Sequence, residues 1–141
     1  MYADYNNLWK LLIDKGMKKT ESNLPSKADV KQFLMLRELA TGLYNEMKDF
    51  AKKSPNETLN TFKIKSLNRV LKPIKELLKN QPTALFLDIL DETALPSNSD
   101  VVIILSQYLT AMKKFEDKYF RKDPAKFILR WDTKEDPISP K

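Results

Sequence analysis

Glycine, the residue that turns most freely, is nearly absent from the chain, with only Gly16 and Gly42 in 141 residues, and no stretch shows sustained period-two alternation. Apolar side chains recur instead at i, i+3, i+4 and i+7 along most of its length, the spacing that gathers them on one side of an α-helix. Such stripes leave water only by packing against one another. The expected fold is therefore all-α, an irregular bundle of four to five helices forming a single domain over residues 1–131. Residues 1–20 are either part of that domain or a loosely attached first helix, and the polar, Pro-containing residues 132–141 are expected to be a flexible tail.

Local signals place the helices. Tyr5, Leu8, Trp9, Leu12 and Ile13 mark a first one, ending where Gly16 suits a left-handed cap. Leu24-Pro25 breaks the chain, and Ser26 with Asp29 three residues later has the pattern of a capping box. The helix it opens runs to Lys53 and is roughly 40 Å long, more than a domain of this size needs, which points to an exposed end or a partner. Leu67, Val70, Leu71, Ile74, Leu77 and Leu78 form a third stripe. Continued backwards it puts Lys63 on the apolar side and Phe62 off it, so a start near residue 65 is expected, with a kink at the internal Pro73. Pro82 predicts a short helix to about Asp91 with Leu85, Phe86, Ile89 and Leu90 inward, and Ser97 or Ser99 caps a last long helix to about Arg121. Asp123-Pro124 is expected to start one more turn or short helix holding Phe127, Ile128 and Trp131.

Composition removes several chemistries. Without cysteine or histidine there is no thiolate, no imidazole base and no ordinary zinc ligand set. Two isolated glycines build no phosphate-cradling loop. Asp88, Asp91 and Glu92, at i, i+3 and i+4, would share a helical face able in principle to hold Mg²⁺ or Ca²⁺, but the same spacing describes a solvated acidic face or one set against a basic neighbour. No catalytic, cofactor-binding or metal-binding residue is assigned, and the chain is read as not an enzyme, with no cofactor. The longest apolar run, VVIIL at 101–105, is far short of the roughly 20 residues that span a bilayer, so the expectation is a cytoplasmic protein with no membrane partner.

The formal charge of +6 is unevenly spread. Residues 61–81 carry six bases and one acid, while 82–100 carry four acids and no base. Lys65, Arg69, Lys72, Lys75 and Lys79 lie broadly opposite the third apolar stripe and form a candidate nucleic-acid surface, although a solvated helix face is the simpler reading. Only four arginines occur, at 37, 69, 121 and 130, whereas bidentate base and phosphate contacts favour Arg, so any nucleic-acid binding is expected to be non-specific. Phe127 with Trp131 is either a lid over one end of the core or an exposed anchor for a partner.

The residues LWKLLIDKGMKKTE near the start resemble the N-terminal part of the bacterial Cro-repressor type helix-turn-helix proteins, with Thr20 matching the cap of their second helix. The resemblance covers about the first 20 residues and implies DNA binding by a divergent transcriptional regulator. Leu24-Pro25 stops the second helix within a turn, and no short capped recognition helix follows. The sequence thus favours a non-catalytic helical module that binds a protein partner or a second copy of itself. A non-specific nucleic-acid binder is the alternative, and a divergent regulator the third reading.

Overall fold

Two capping boxes set the long helices. In the computed structural model, which describes residues 23–139, the Ser26 hydroxyl accepts from the Asp29 N–H at 2.9 Å and the Asp29 carboxylate accepts from the Ser26 N–H at 3.0 Å. This pair satisfies two of the donors that any helix start leaves open and begins α1, Lys27–Lys53. Ser97 and Asp100 repeat the device and begin α3, Asn98–Tyr119. Between them lies α2, Thr61–Leu77, capped by the Asn60 side chain on the Lys63 N–H at 2.9 Å. The expected first helix, and the repressor-like residues within it, fall outside the described residues.

The chain end of α1 is tied to the start of α3. Asn98 donates from its backbone to Glu57 O and from its side chain to Ser54 O, both at 2.9 Å, and Ser99 donates to Pro55 O. Thr58 and Ser97 form an isolated antiparallel bridge. At the other end Arg37 of α1 pairs with Glu116 of α3, so the two helices run antiparallel. α1 packs against both neighbours, more extensively against α3. Phe33, Leu36 and Ala40 of α1, Ile64, Leu67 and Leu71 of α2, and Leu105, Tyr108 and Met112 of α3 meet in one core. Each large apolar side chain buried there contributes about 1.5–3 kcal/mol.

The all-α bundle of four to five helices is not what forms. Among the described residues three α-helices are followed by a two-stranded antiparallel sheet, β1 (Phe120–Asp123) and β2 (Ile128–Trp131), with Phe120 opposite Trp131 and Asp123 opposite Ile128. The last helix stops at Tyr119, two residues early, because Phe120 leaves helical geometry and pairs across the hairpin; Arg121 and Lys122 belong to β1. The expected short helix at 124–131 is replaced by a turn and β2.

The expected helix to Asp91 is also corrected. Pro82–Phe86 makes only a 3₁₀ turn, after which 87–91 has no regular secondary structure. Leu87 and Leu90 are the buried pair, whereas Leu85, 88% exposed, and Phe86 point to solvent. The buried Asn68 of α2 explains the change. Its amide donates to Leu90 O at 2.8 Å and accepts from Leu90 N at 3.0 Å, supplying the backbone partners that a helix would have supplied internally.

Finally, α2 begins at Thr61 rather than near 65. The phase argument set Phe62 off the core face, where it is 78% exposed, but Lys63 is exposed as well, with Ile64 the buried residue of this turn and the Lys63 ammonium 5.2 Å from the centre of the Phe50 ring. A lysine stem covering apolar surface while its charge stays wet removes the penalty that would have delayed the helix.

Candidate functional site

The hairpin is a rigid projection built on the end of α3. Its turn is set by Asp123, whose carboxylate accepts from Ala125 N at 2.9 Å and from Arg130 Nε at 2.8 Å, while its carbonyl accepts from Phe127 N at 2.8 Å. The Arg130 hydrogen bond, aided by the Ala125 N–H, holds the Asp123 carboxyl below the usual aspartate range. Phe127 takes φ 57°, the left-handed region an aromatic side chain seldom occupies.

Opposed residues of an antiparallel pair share a face. One face carries Phe120 and Trp131 at its base and Lys122 and Leu129 near its tip. The base is seated on the core: the Trp131 ring lies 5.5 Å from Phe33, 5.4 Å from Phe120 and 6.3 Å from Phe115. The other face, with Arg121 and Arg130, is wrapped by residues 132–138. Asp132 accepts from Arg121 at 2.9 Å, Arg130 pairs with Asp136, and Ile138 is buried with its N–H on Asp132 Oδ1 at 2.7 Å. Glu135 then accepts from the Lys27 N–H at 2.9 Å, at the positive end of α1. Much of the segment expected to be a loose tail is therefore folded against the domain, held by arginine pairs that its polar composition did not reveal.

The candidate partner anchor divides in two. Trp131 is the lid over the Phe33–Phe115 end of the core. Phe127, 79% exposed, stands at the tip beside Ile128 at 51% and Leu129 at 64%.

The five candidate basic residues, four on α2 and Lys79 just past its end, also divide. Lys65, Arg69 and Lys72 are exposed on its outward side and make no ion pair among the described residues. Lys79 is bound to Glu76 at 2.8 Å, and this contact raises its pKa above the ordinary value. Lys75 turns toward the 3₁₀ segment, where it lines, with Lys72, Glu76, Lys79, Ala84 and Ile89, a shallow cleft of about 300 Å³. The other three arginines are engaged internally, with Glu116, Asp132 and Asp123.

The acidic residues of FLDILDE do not share a helical face. Asp91 caps its own turn by accepting from the Thr93 N–H and hydroxyl at 2.8 and 2.7 Å, which lowers its pKa. Asp88 contributes its carbonyl to the Tyr108 hydroxyl at 2.8 Å. Burial, with the nearby Asp88 charge, pushes the Tyr108 phenol well above its ordinary value. Among the described residues no cluster of three or more His, Cys, Asp or Glu side chains is arranged to hold a metal ion. Nor is any helix of these residues long and apolar enough to cross a membrane.

One surface was missed by the sequence reading. Met35, Leu39, Gly42 and Glu46 recur at four-, three- and four-residue steps on the side of α1 turned away from the core and lead to Phe50, at the α2 edge of that side under Lys63; Met35, Leu39 and Phe50 are about half exposed. The signal was available as a second, weaker stripe on the same helix, masked by the stronger inward one. A Cβ at Gly42 would meet nothing within 4 Å, so the centre of this face is open. No family model matches the chain, and no curated protein or solved structure matches it.

Proposed function

We propose that the chain is a non-catalytic interaction module that docks a protein partner on the outward face of α1. The observation that carries this reading is the line of Met35, Leu39 and Phe50, exposed on a helix whose start is capped and whose opposite face is held by two other helices. Ordered apolar surface of this kind on a rigid element is what helix-in-groove recognition uses. A partner different from the chain itself is favoured by charge. A symmetric antiparallel pair centred at Gly42 would set Glu38 against the other copy's Glu46 and Lys31 against its Lys53, which opposes like charges on both sides.

The test is a photo-crosslinking side chain placed at Leu39 in the producing cell, with Met35→Asp as the control. One discrete protein adduct that Met35→Asp abolishes supports the reading, together with a monomeric sedimentation profile of the purified chain. An adduct internal to the chain, or none, refutes it.

A second reading is non-specific binding to a nucleic-acid backbone through Lys65, Arg69 and Lys72, favoured by their freedom from ion pairs. Glu76 on the same side weakens the patch. Fluorescence anisotropy with labelled DNA and RNA across a salt series tests it: log K should fall with log salt by about 0.9 per phosphate engaged on duplex DNA. The slope should shrink when the three residues are changed to glutamine.

A further inference from the structure

We propose that the hairpin tip is a wedge for an anionic lipid surface, with Phe127, Ile128 and Leu129 entering the boundary between headgroups and acyl chains and Lys122 and Lys126 resting on the phosphates. This surface lies outside the reading of α1 as a docking face and does not depend on it. The lack of a spanning segment bears on crossing a bilayer, not on binding to its surface.

Three observations favour lipid over a protein groove. The first is the distribution of apolar side chains. Leu129 shares one face of the hairpin with Lys122, Ile128 shares the opposite face with Asp123, and Phe127 lies in the turn that joins the strands. A protein groove receives one face of a strand, whereas an acyl environment surrounds a projection from all sides. The second is charge. Asp123, Asp132 and Asp136 at this end of the fold are each paired with Arg121 or Arg130, which leaves Lys122 and Lys126 without an ion pair among the described residues. The exposed rim of the tip is therefore positive.

The third is dimension and stiffness. Three residues at the strand rise of about 3.3 Å span about 10 Å, the depth to which apolar groups settle at the headgroup boundary. Lysine stems on the rim are long enough to keep their ammonium groups at that level. The tip is held out in an ordered form by the Trp131 seat and the arginine pairs, and Phe127 is kept at a φ that glycine would adopt at less cost. An aromatic residue retained in that conformation, with its ring in water, points from strain to use.

The experiment is flotation of the full chain with vesicles of phosphatidylcholine alone or mixed with phosphatidylglycerol, at low and high salt. Binding to the mixed vesicles that weakens with salt is expected, with each lysine contributing on the order of fivefold. Lys122→Gln with Lys126→Gln should thus lower binding by roughly 30-fold. Phe127→Ser with Leu129→Ser should abolish it while leaving circular dichroism unchanged. Phe127→Gly separates function from folding, because relief of the left-handed strain should let it melt no lower than the parent while it binds vesicles weakly. The proposal is overturned by no binding to the mixed vesicles, by equal binding to neutral and anionic vesicles, or by binding that survives the Phe127 and Leu129 changes.

Discussion

Asn68→Ala should be among the most damaging single changes to the fold, although the residue is polar and lies in the middle of a helix. Asn68 is 3% exposed and makes both of its hydrogen bonds to one residue, Leu90, at 2.8 and 3.0 Å. Removal of the amide leaves a buried N–H and a buried C=O without partners, at about 1–3 kcal/mol for each such group, so a loss of about 3 kcal/mol, in the lower half of the summed range, is expected. With an unfolding entropy of about 2.1 cal/mol/K per residue, a chain of this length should melt about 10 °C lower. The assay is thermal and urea unfolding followed by circular dichroism, with an unchanged urea slope showing that stability and not compactness has changed. Asn68→Leu fills the volume but offers no hydrogen bond, and should be nearly as damaging. Asn68→Asp keeps the acceptor for the Leu90 N–H and, while protonated, a donor for the Leu90 carbonyl. Burial raises the pKa of that introduced carboxyl, so its stability should be complete at low pH and fall as pH rises through the raised value. The reasoning is refuted if Asn68→Ala costs less than about 0.5 kcal/mol, the scale of an ordinary surface change, or if Asn68→Leu restores the parent's melting point.

Three further outcomes are expected. The Asp123 carboxyl, lowered by Arg130, should contribute stability that is present above the ordinary aspartate value of 3.8 and lost as pH falls through its lowered value; Asp123→Asn should flatten that acid limb of the melting curve. Trp131→Ala should cost about 3 kcal/mol, the low end for aromatic truncation because the ring is only partly buried, and should remove near-ultraviolet dichroism from the Phe33–Phe115 cluster. Ser26→Ala should cost about 1 kcal/mol in a urea melt, since it removes the cap of α1, and Ser26→Gly should recover most of that loss.

What could be read in the chain and what could not follows from the range of the interactions concerned. Ser26 with Asp29 and Ser97 with Asp100 act over three residues, so the start of α1 is legible without knowing anything distant, and the start of α3 is narrowed to Ser97 or Ser99. The inward stripes of α1 and α3 are equally local, because the helical period alone decides which side chains share a face. The basic side of α2 was visible for the same reason, but which of its charges are free depended on Glu76 and on the 3₁₀ turn beside it.

Leu87 and Leu90, by contrast, fit a helical turn as well as an irregular segment, and Asn68, 22 residues away from Leu90, decides the matter by supplying the backbone partners. Residues 120–131 read as a helix end and a further turn until Trp131 is seated against Phe33 of α1 and Arg130 against Asp123. The same distant pairs turn a polar tail into a folded strap and leave Phe127 in the solvent. By itself the sequence determined where backbone and side chain agree within one or two turns: the helices, their caps and their inward faces. Tertiary structure alone decided which apolar residues remain outside, because that depends on which partners arrive from elsewhere in the chain to cover the others first.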